Sequence, residues 1–462
     1  MNQTTLGTQN IHKLFARFTI PAVIAMVISG SQSIIDGIFV GNYVGQNALA
    51  SINMAIPFTQ IIVGLSMVIS MGALSFIGRS MGEGNINKAQ NIFKTATNLN
   101  LIIMISIAVI ALLFNKQLAS LFGASSVILD DVSIYIKIFG LFAPFISTMF
   151  LFGFTDRIMG KPNIYLIGSI FSLVINVLLD FILIKYLNLG VKGAALASGI
   201  AYSTAFLVVI WPMLNKNSTL NIFVGSFDRT TILPMVYNGS SEAVSSAAAA
   251  ITIFIFNNIF MRIAGEAGVA AYTTISYISQ FSSFIMFGIS DGIGPLLSYN
   301  YGQGNLDRVK KTLKLSIIVN TTVGVFLFIV LNIFGRQLIS LFVDDGSQVI
   351  EIAVSGARLF AITLLMNGFN IINSGYFTAI GNARNSILIA ISRGLIFIII
   401  GLVILPAILG LSGVWLTVPF AEAVTFIIGI ILFRKQLQKD AENFSLKEDE
   451  KKKYAINKMV TD

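Results

Sequence analysis

Five carboxylic acids lie inside stretches that are otherwise apolar: Asp36, Asp180, Glu242, Asp291 and Glu422. The sharpest case is SLVINVLLDFILI (172–184), where Asn176 and Asp180, four residues apart, share one face of a helix. A charge at the centre of a bilayer-spanning helix costs roughly 2.5–3.5 kcal/mol on insertion scales, and such residues face a bundle interior or a cavity. At about 1.5 Å per residue, Asp36 in the first apolar run and Asp180 in the fifth reach a similar depth, so the two can meet. Ser198, on the sixth run after the turn LNLGVKGAA, lies at a comparable distance from the same end. Two carboxylates, an amide carbonyl and a hydroxyl are a set of hard oxygen donors. Such a set can hold a small hard cation such as Na+, or two mutually repelling carboxylates can bind a proton between them. Simple hydrogen-bonded helix contact needs no acids, let alone two.

The second half of the chain carries a different set. Glu242 follows Gly239, Ser240 and Ser241, while Glu422 falls in the middle of the last apolar run. Asn367, Asn370 and Asn373 recur every three residues, and Asn257 precedes Asn258. Glu242, Glu422, Asn257, Asn370 and Asn373 are candidates for substrate binding or coupling, although an amide stripe serves equally to satisfy neighbouring helices. Asp291 and Arg393 approach from the same end of the eighth and eleventh runs and are candidates for an ion pair or gate. Fifteen Met and 37 Phe could soften a cavity for apolar cations or simply face lipid.

Several chemistries are missing. There is no cysteine, and the single histidine, His12, precedes the first run. Thiolate sites and a Ser-His-Asp triad are therefore excluded. MGKPN (159–163) lacks the glycine spacing of a nucleotide-binding loop, and no H-E-x-x-H occurs. No enzyme activity, cofactor or resident metal is expected, apart from Na+ at Asp36 and Asp180. Any uphill transport would draw on an ion gradient, with H+ or Na+ as the coupling ion.

The elements that must position these residues are helices in a membrane. Of 462 residues, 55% are hydrophobic and 11% charged, and the mean hydropathy is +0.83. Apolar runs long enough to cross a bilayer of about 30 Å cover roughly 15–40, 48–76, 92–114, 132–155, 163–186, 190–214, 235–262, 268–299, 313–334, 351–377, 386–408 and 411–434. The first run is too long for a signal-peptide core. MGEGNINKAQ (81–90) matches YGQGNLDRVK (301–310), KQLASLF (116–122) matches RQLISLF (336–342), and LGVKGAALASGIAYSTAF (189–206) matches LGLSGVWLTVPFAEAVTF (409–426). All three pairs share one offset of 220 residues (81 to 301). The expected fold is an all-α polytopic membrane protein with twelve transmembrane helices in two pseudo-twofold six-helix bundles. Six spans per repeat make the repeats parallel, about an axis along the membrane normal.

One face then collects most of the basic loop residues, including Arg79, Lys88, Lys94, Arg308, Lys310 and Lys311, so both termini are expected in the cytoplasm of a bacterial plasma membrane. The expected parts are an N-terminal lobe (1–214), a cytoplasmic linker (215–234), a C-terminal lobe (235–434) and a charged tail (435–462), the tail read as a solvated helical extension. The net charge of +9 follows this topology and forms no nucleic-acid surface. The bilayer and small molecules are the expected partners, and the chain is expected to act as a monomer.

These features together resemble a known family. ISGSQSIIDGIFVGNYVGQNALASINMAIP, GRSMGEGNINKAQ with its echo YNYGQGNLDRVK, RIMGKPN with its echo AIGNARN, and NVLLDFILI followed by GVKGAALASGIA occur in the order seen in multidrug and toxic compound extrusion (MATE) transporters. The resemblance extends to about residue 434 and is strongest to a branch of bacterial drug exporters. It implies two six-helix lobes around a central cleft and export of cationic drugs or dyes in exchange for H+ or Na+. It also implies that Asp36, Asn176, Asp180 and Ser198 are the ion site, with Ser198 where the family usually has Thr. Glu242 matches an acidic position that some relatives use for coupling or substrate binding, and Glu422 has a counterpart in the same bacterial branch. A lipid flippase of the same superfamily is the alternative, and the excess of embedded acids over embedded bases (Lys137, Arg358, Arg393) favours cationic cargo.

Overall fold

The computed structural model describes residues 4–343 and 347–461. A short helix α1 (Thr4–Thr8) precedes six long elements: α2 (Ile11–Tyr43), α3 (Gln46–Gly82), α4 (Ile86–Leu121), α5 (Leu129–Ile158), α6 (Pro162–Asp180) with a π-helical turn (Phe181–Tyr186), and α7 (Gly190–Ile210). Then follow α8 (Ile232–Gly302), α9 (Leu306–Ile339), α10 (Gln348–Phe360), α11 (Leu364–Ile380), α12 (Ala383–Ile391), α13 (Phe397–Leu409) and α14 (Leu411–Thr461). A 3-10 turn joins α10 to α11 and a π-helical turn (Ser392–Ile396) joins α12 to α13, so each of these pairs forms one span. In hydrocarbon every backbone donor needs a partner within its own segment, which is why apolar runs of this length become helices.

Eleven helices among the described residues are long and apolar enough to cross a membrane. One of them, α8, is two spans. Gly265 breaks it with φ 61° and ψ −155°, a conformation open to glycine alone. Rings on either side of the break stack face to face: Phe256 and Phe260 each lie 5.1 Å from Tyr272. The chain therefore reverses at Gly265, and the described residues form twelve spans.

The 220-residue repeat is visible atom by atom. Gly84 (φ 78°) and Gly304 (φ 80°) make the same left-handed turn. Asn85 and Asn305 then cap the next helix, accepting from the backbone N–H of Lys88 and Arg308. Deeper in the membrane, Asn100 Nδ2 donates to Thr148 Oγ1, and Asn320 Nδ2 donates to the carbonyl of Gly368 at the matching position.

Helices α2–α7 pack mainly with one another, as do α9–α14, and α8 packs against both groups. The two groups meet where α3 and α2 cross α8, and small residues allow backbone to touch backbone there. A methyl group on Gly239 would lie 1.8 Å from the Val68 carbonyl oxygen, and one on Gly82 would lie 2.0 Å from that of Tyr299. Ser75 Oγ donates to the Ala379 carbonyl across this seam. The seam occupies the end of the molecule that carries the Gly84 and Gly304 turns.

Two expectations change. The tail is not simply solvated: α14 runs on from the last span, and Asp440 is 1% exposed, accepting from Tyr301 Oη, Tyr376 Oη and Gln436 Nε2. The hydropathy pattern stops at Arg434 and gave no sign of this docking. Side chains of the charged run 447–454 lie outside the described residues. The five acids are also not the full set, because Asp156 near the end of α5 is fully buried beside Arg157.

Candidate functional site

The π-helical turn after Asp180 ends the regular part of the fifth span at the acid itself, a distortion often found at functional sites. Asp180 and Asn176 are both 0% exposed and face α2 and α7. Ser198 on α7 donates to Asp36 Oδ2 at 2.9 Å, and Asn176 Nδ2 donates to Ser198 Oγ at 3.5 Å. Asp36 and Asp180 are close enough to act on each other electrostatically. All four residues singled out in the first half of the chain thus converge, from three helices.

Four acceptor oxygens of this set, Asp36 Oδ1, Asn176 Oδ1 and both of Asp180, are buried with no donor among the described residues. Two carboxylates with such orphaned oxygens suit a shared proton or a single small cation. Groups of three or more acidic or metal-ligating side chains are not found among the described residues, so a multi-carboxylate divalent site does not fit.

Five further side chains complete the surroundings. Tyr135 on α5 and Tyr202 on α7 lie within electrostatic reach of Asp36, and Phe139 bridges their rings. Ser172 donates to Gln32 Oε1 at 3.5 Å, one turn before Asn176 and Asp36 respectively. Tyr202 and Gln32 each sit four residues from a recognised member, a usable signal. Tyr135 offers none, because only packing brings α5 to this point.

The second half is arranged differently. Arg393, displayed by the π-helical turn, donates to Glu422 Oε1 from Nη2 at 2.8 Å and from Nε at 3.1 Å, and also to Asn367 Oδ1. Asn370 Nδ2 donates to Glu422 Oε2 at 2.6 Å. Both carboxylate oxygens of Glu422 are therefore engaged, and Arg393 pairs with Glu422 and not with Asp291. Glu422 stands 220 residues after Tyr202, so the same place in the two repeats holds a phenol in one and a locked carboxylate in the other. Asn373 is spent on the Gly429 carbonyl. Asn257 is half-buried, and its Oδ1 is an unpaired buried acceptor.

Glu242 lies half-buried one turn beyond Gly239 of the seam, and Asp291 is 7% exposed on the same long helix. Among the described residues neither carboxylate has a hydrogen bond or ion pair, and Asp291 and Arg393 act on Glu242 through space. Arg157, whose guanidinium lies over the rings of Phe154 and Tyr165, is the positive charge acting on Asp291.

The family model MatE matches this chain twice, over residues 21–182 and 243–403. The chain belongs to the MatE family. The two matched segments start 222 residues apart (21 to 243), in step with the repeat. Among relatives, multidrug export protein MepA of Staphylococcus haemolyticus is 28% identical over 92% of this chain and 93% of its own length. MepA of Staphylococcus aureus is 27% identical over 91% and 93%. A solved structure described as the outward-facing conformation of a multidrug resistance MATE family transporter superposes with a TM-score of 0.89 at 23% identity, covering 96% of this chain and 99% of the other. This MATE protein is thus a twelve-helix, multi-pass membrane member of a family of multidrug efflux transporters.

Proposed function

We propose that this MATE protein exports amphipathic organic cations in exchange for H+ or Na+, by alternating access between two lobes, residues 1–214 and 235–434, joined by a linker (215–234) that lies with both termini in the cytoplasm. The observation that carries the reading is the meeting of Asp36 and Asp180 in a buried set with four unpaired acceptor oxygens. One proton or one Na+ relieves the repulsion of the pair, and binding and release of that ion can then bias the N-terminal lobe between two packings. An ion drives a conformational cycle only through such a differential affinity. Its energy is about 2.3 kcal/mol per charge per 100 mV.

Glu242 and Asp291, unpaired and next to the seam, are the carboxylates offered to a cationic cargo. Glu422 is already neutralised by Arg393 and serves the C-terminal lobe as an internal tie. The seam closes the face that carries the basic loops, so this conformation opens to the outside. Acids without partners favour cationic cargo over the phosphate headgroups that a flippase would bind.

Efflux of a fluorescent cation from proteoliposomes, driven by an imposed proton gradient and separately by an imposed Na+ gradient, tests the reading. Uphill transport with one gradient supports it and names the ion. Transport that ignores both gradients would sink it.

A further inference from the structure

The chain between the two halves is not slack, and its polar stretch is interrupted by an apolar one, Ile222–Val224 with Phe227. Six hydrogen bonds strap its backbone to α4: Gln90 Nε2 donates to the carbonyls of Asn221 and Val224, Gln90 Oε1 accepts from Asn221 N, Lys94 Nζ donates to the Ile222 carbonyl, Asn91 Oδ1 accepts from Ser226 N, and Thr95 Oγ1 accepts from Asp228 N. With the backbone satisfied, the side chains point away. Phe223 (52%), Val224 (52%) and Phe227 (41%) are all exposed, which is unusual for a connecting loop and marks an interaction surface.

What covers that surface follows from its continuity with α4. Phe227, Asn98, Leu101, Ile102 and Ile105 line one shallow groove. Ile102 and Ile105 belong to the exposed apolar face of a membrane span, so the groove opens into the hydrocarbon. Basic groups stand at its loop end: Arg229 is exposed on the 3-10 turn that touches α4, and the exposed Lys216 lies over the Phe223 ring. The acid between them, Asp228, is occupied by the N–H and hydroxyl of Thr230. An apolar trough leading from hydrocarbon to a basic rim is the shape and polarity of one phospholipid.

We propose that the groove between the linker and α4 binds an anionic phospholipid, with an acyl chain along Ile102, Ile105 and Phe227 and the headgroup phosphate at Arg229, with Lys216 adding to the field. The site lies on the chain that joins the lobes, so the lipid ties the inter-lobe connection to the membrane surface. The proposal is independent of the coupling ion and of the cargo.

Native mass spectrometry of the full chain, released from micelles that contain equal palmitoyl-oleoyl phosphatidylglycerol and phosphatidylcholine, tests it. The expected result is one retained phosphatidylglycerol in clear excess over phosphatidylcholine. Arg229→Gln should lower that excess about fivefold, the weight of one basic residue near an anionic surface. Phe227→Ala should lower retention of both lipids. Glycerol phosphate without acyl chains should not displace the lipid. Equal retention of the two lipids by the unmodified protein, retention unaffected by both variants in protein of normal thermal stability, or a second protein chain in place of the lipid would each overturn the proposal.

Discussion

Ser198 is the pivot of the N-terminal set, since its hydroxyl gives a hydrogen bond to Asp36 and takes one from Asn176. Ser198→Thr keeps the hydroxyl and should transport normally, whereas Ser198→Ala leaves a buried carboxylate short of a donor, which costs about 1–3 kcal/mol, and should shift the pH dependence of efflux. Asp180→Asn removes the carboxylate repulsion for good. The variant should reach the membrane in normal amounts and bind dye, yet fail to build a dye gradient in vesicles. Normal gradient-driven efflux by that variant would return Asp180 to a purely structural role. On the other side, Arg393→Ala strands Glu422 and should lower stability by about 3–5 kcal/mol, while Arg393→Met with Glu422→Met should recover most of it. Thermal unfolding followed by size-exclusion chromatography separates the two cases. The first set was legible because acids stand out against a lipid-like background and Asn176 and Asp180 share a face. The pairing of Arg393 with Glu422 was not, because linear distance from a membrane face cannot say which of several neighbouring helices a long arginine will reach.

At the scale of elements, hydropathy finds the spans and misses what happens beyond them. The inner part of the tail docks through one buried carboxylate, Asp440, which Tyr301 and Tyr376 reach from the ends of two other spans. Gln436 on the same helix also accepts from Asn382 in the α11–α12 turn. A chain ending after Phe444 should keep the stability of the full protein, and one ending after Arg434 should lose it, with Asp440→Asn in between. Hydrogen bonds to a charged group contribute about 1.5–3 kcal/mol each, so thermal stability in detergent resolves the series. The twin spans of α8 show the opposite case: both runs were plain in the sequence, and a single glycine inside one long apolar stretch supplies the reversal.

Across the whole molecule the repeat is the strongest organising fact, and it makes topology testable. The chain has no cysteine, so single cysteines at Asn85, Asn305 and Lys216 can be probed without background. All three should resist membrane-impermeant thiol reagents in intact cells and react once the membrane is opened. Labelling of Asn85 and Asn305 from opposite sides would contradict parallel repeats. At the seam, Gly239→Val would drive a side chain into the Val68 carbonyl and should leave the closed face ajar, read as labelling at Asn85-side seam positions and loss of transport.

Tyr202 and Glu422 occupy one address in two copies of a duplicated plan. Duplication doubled the scaffold without doubling its chemistry: one copy brings Asp36 and Asp180 together with no fixed cation beside them, and the other ties Glu422 to Arg393 and leaves Glu242 and Asp291 without an ion pair among the described residues. A duplicated transporter with identical halves would load two ions per cycle. On the proposed reading, one coupling ion per cycle is the stoichiometry built into this divergence, and the second copy is released to change with the cargo while the first stays with the energy source.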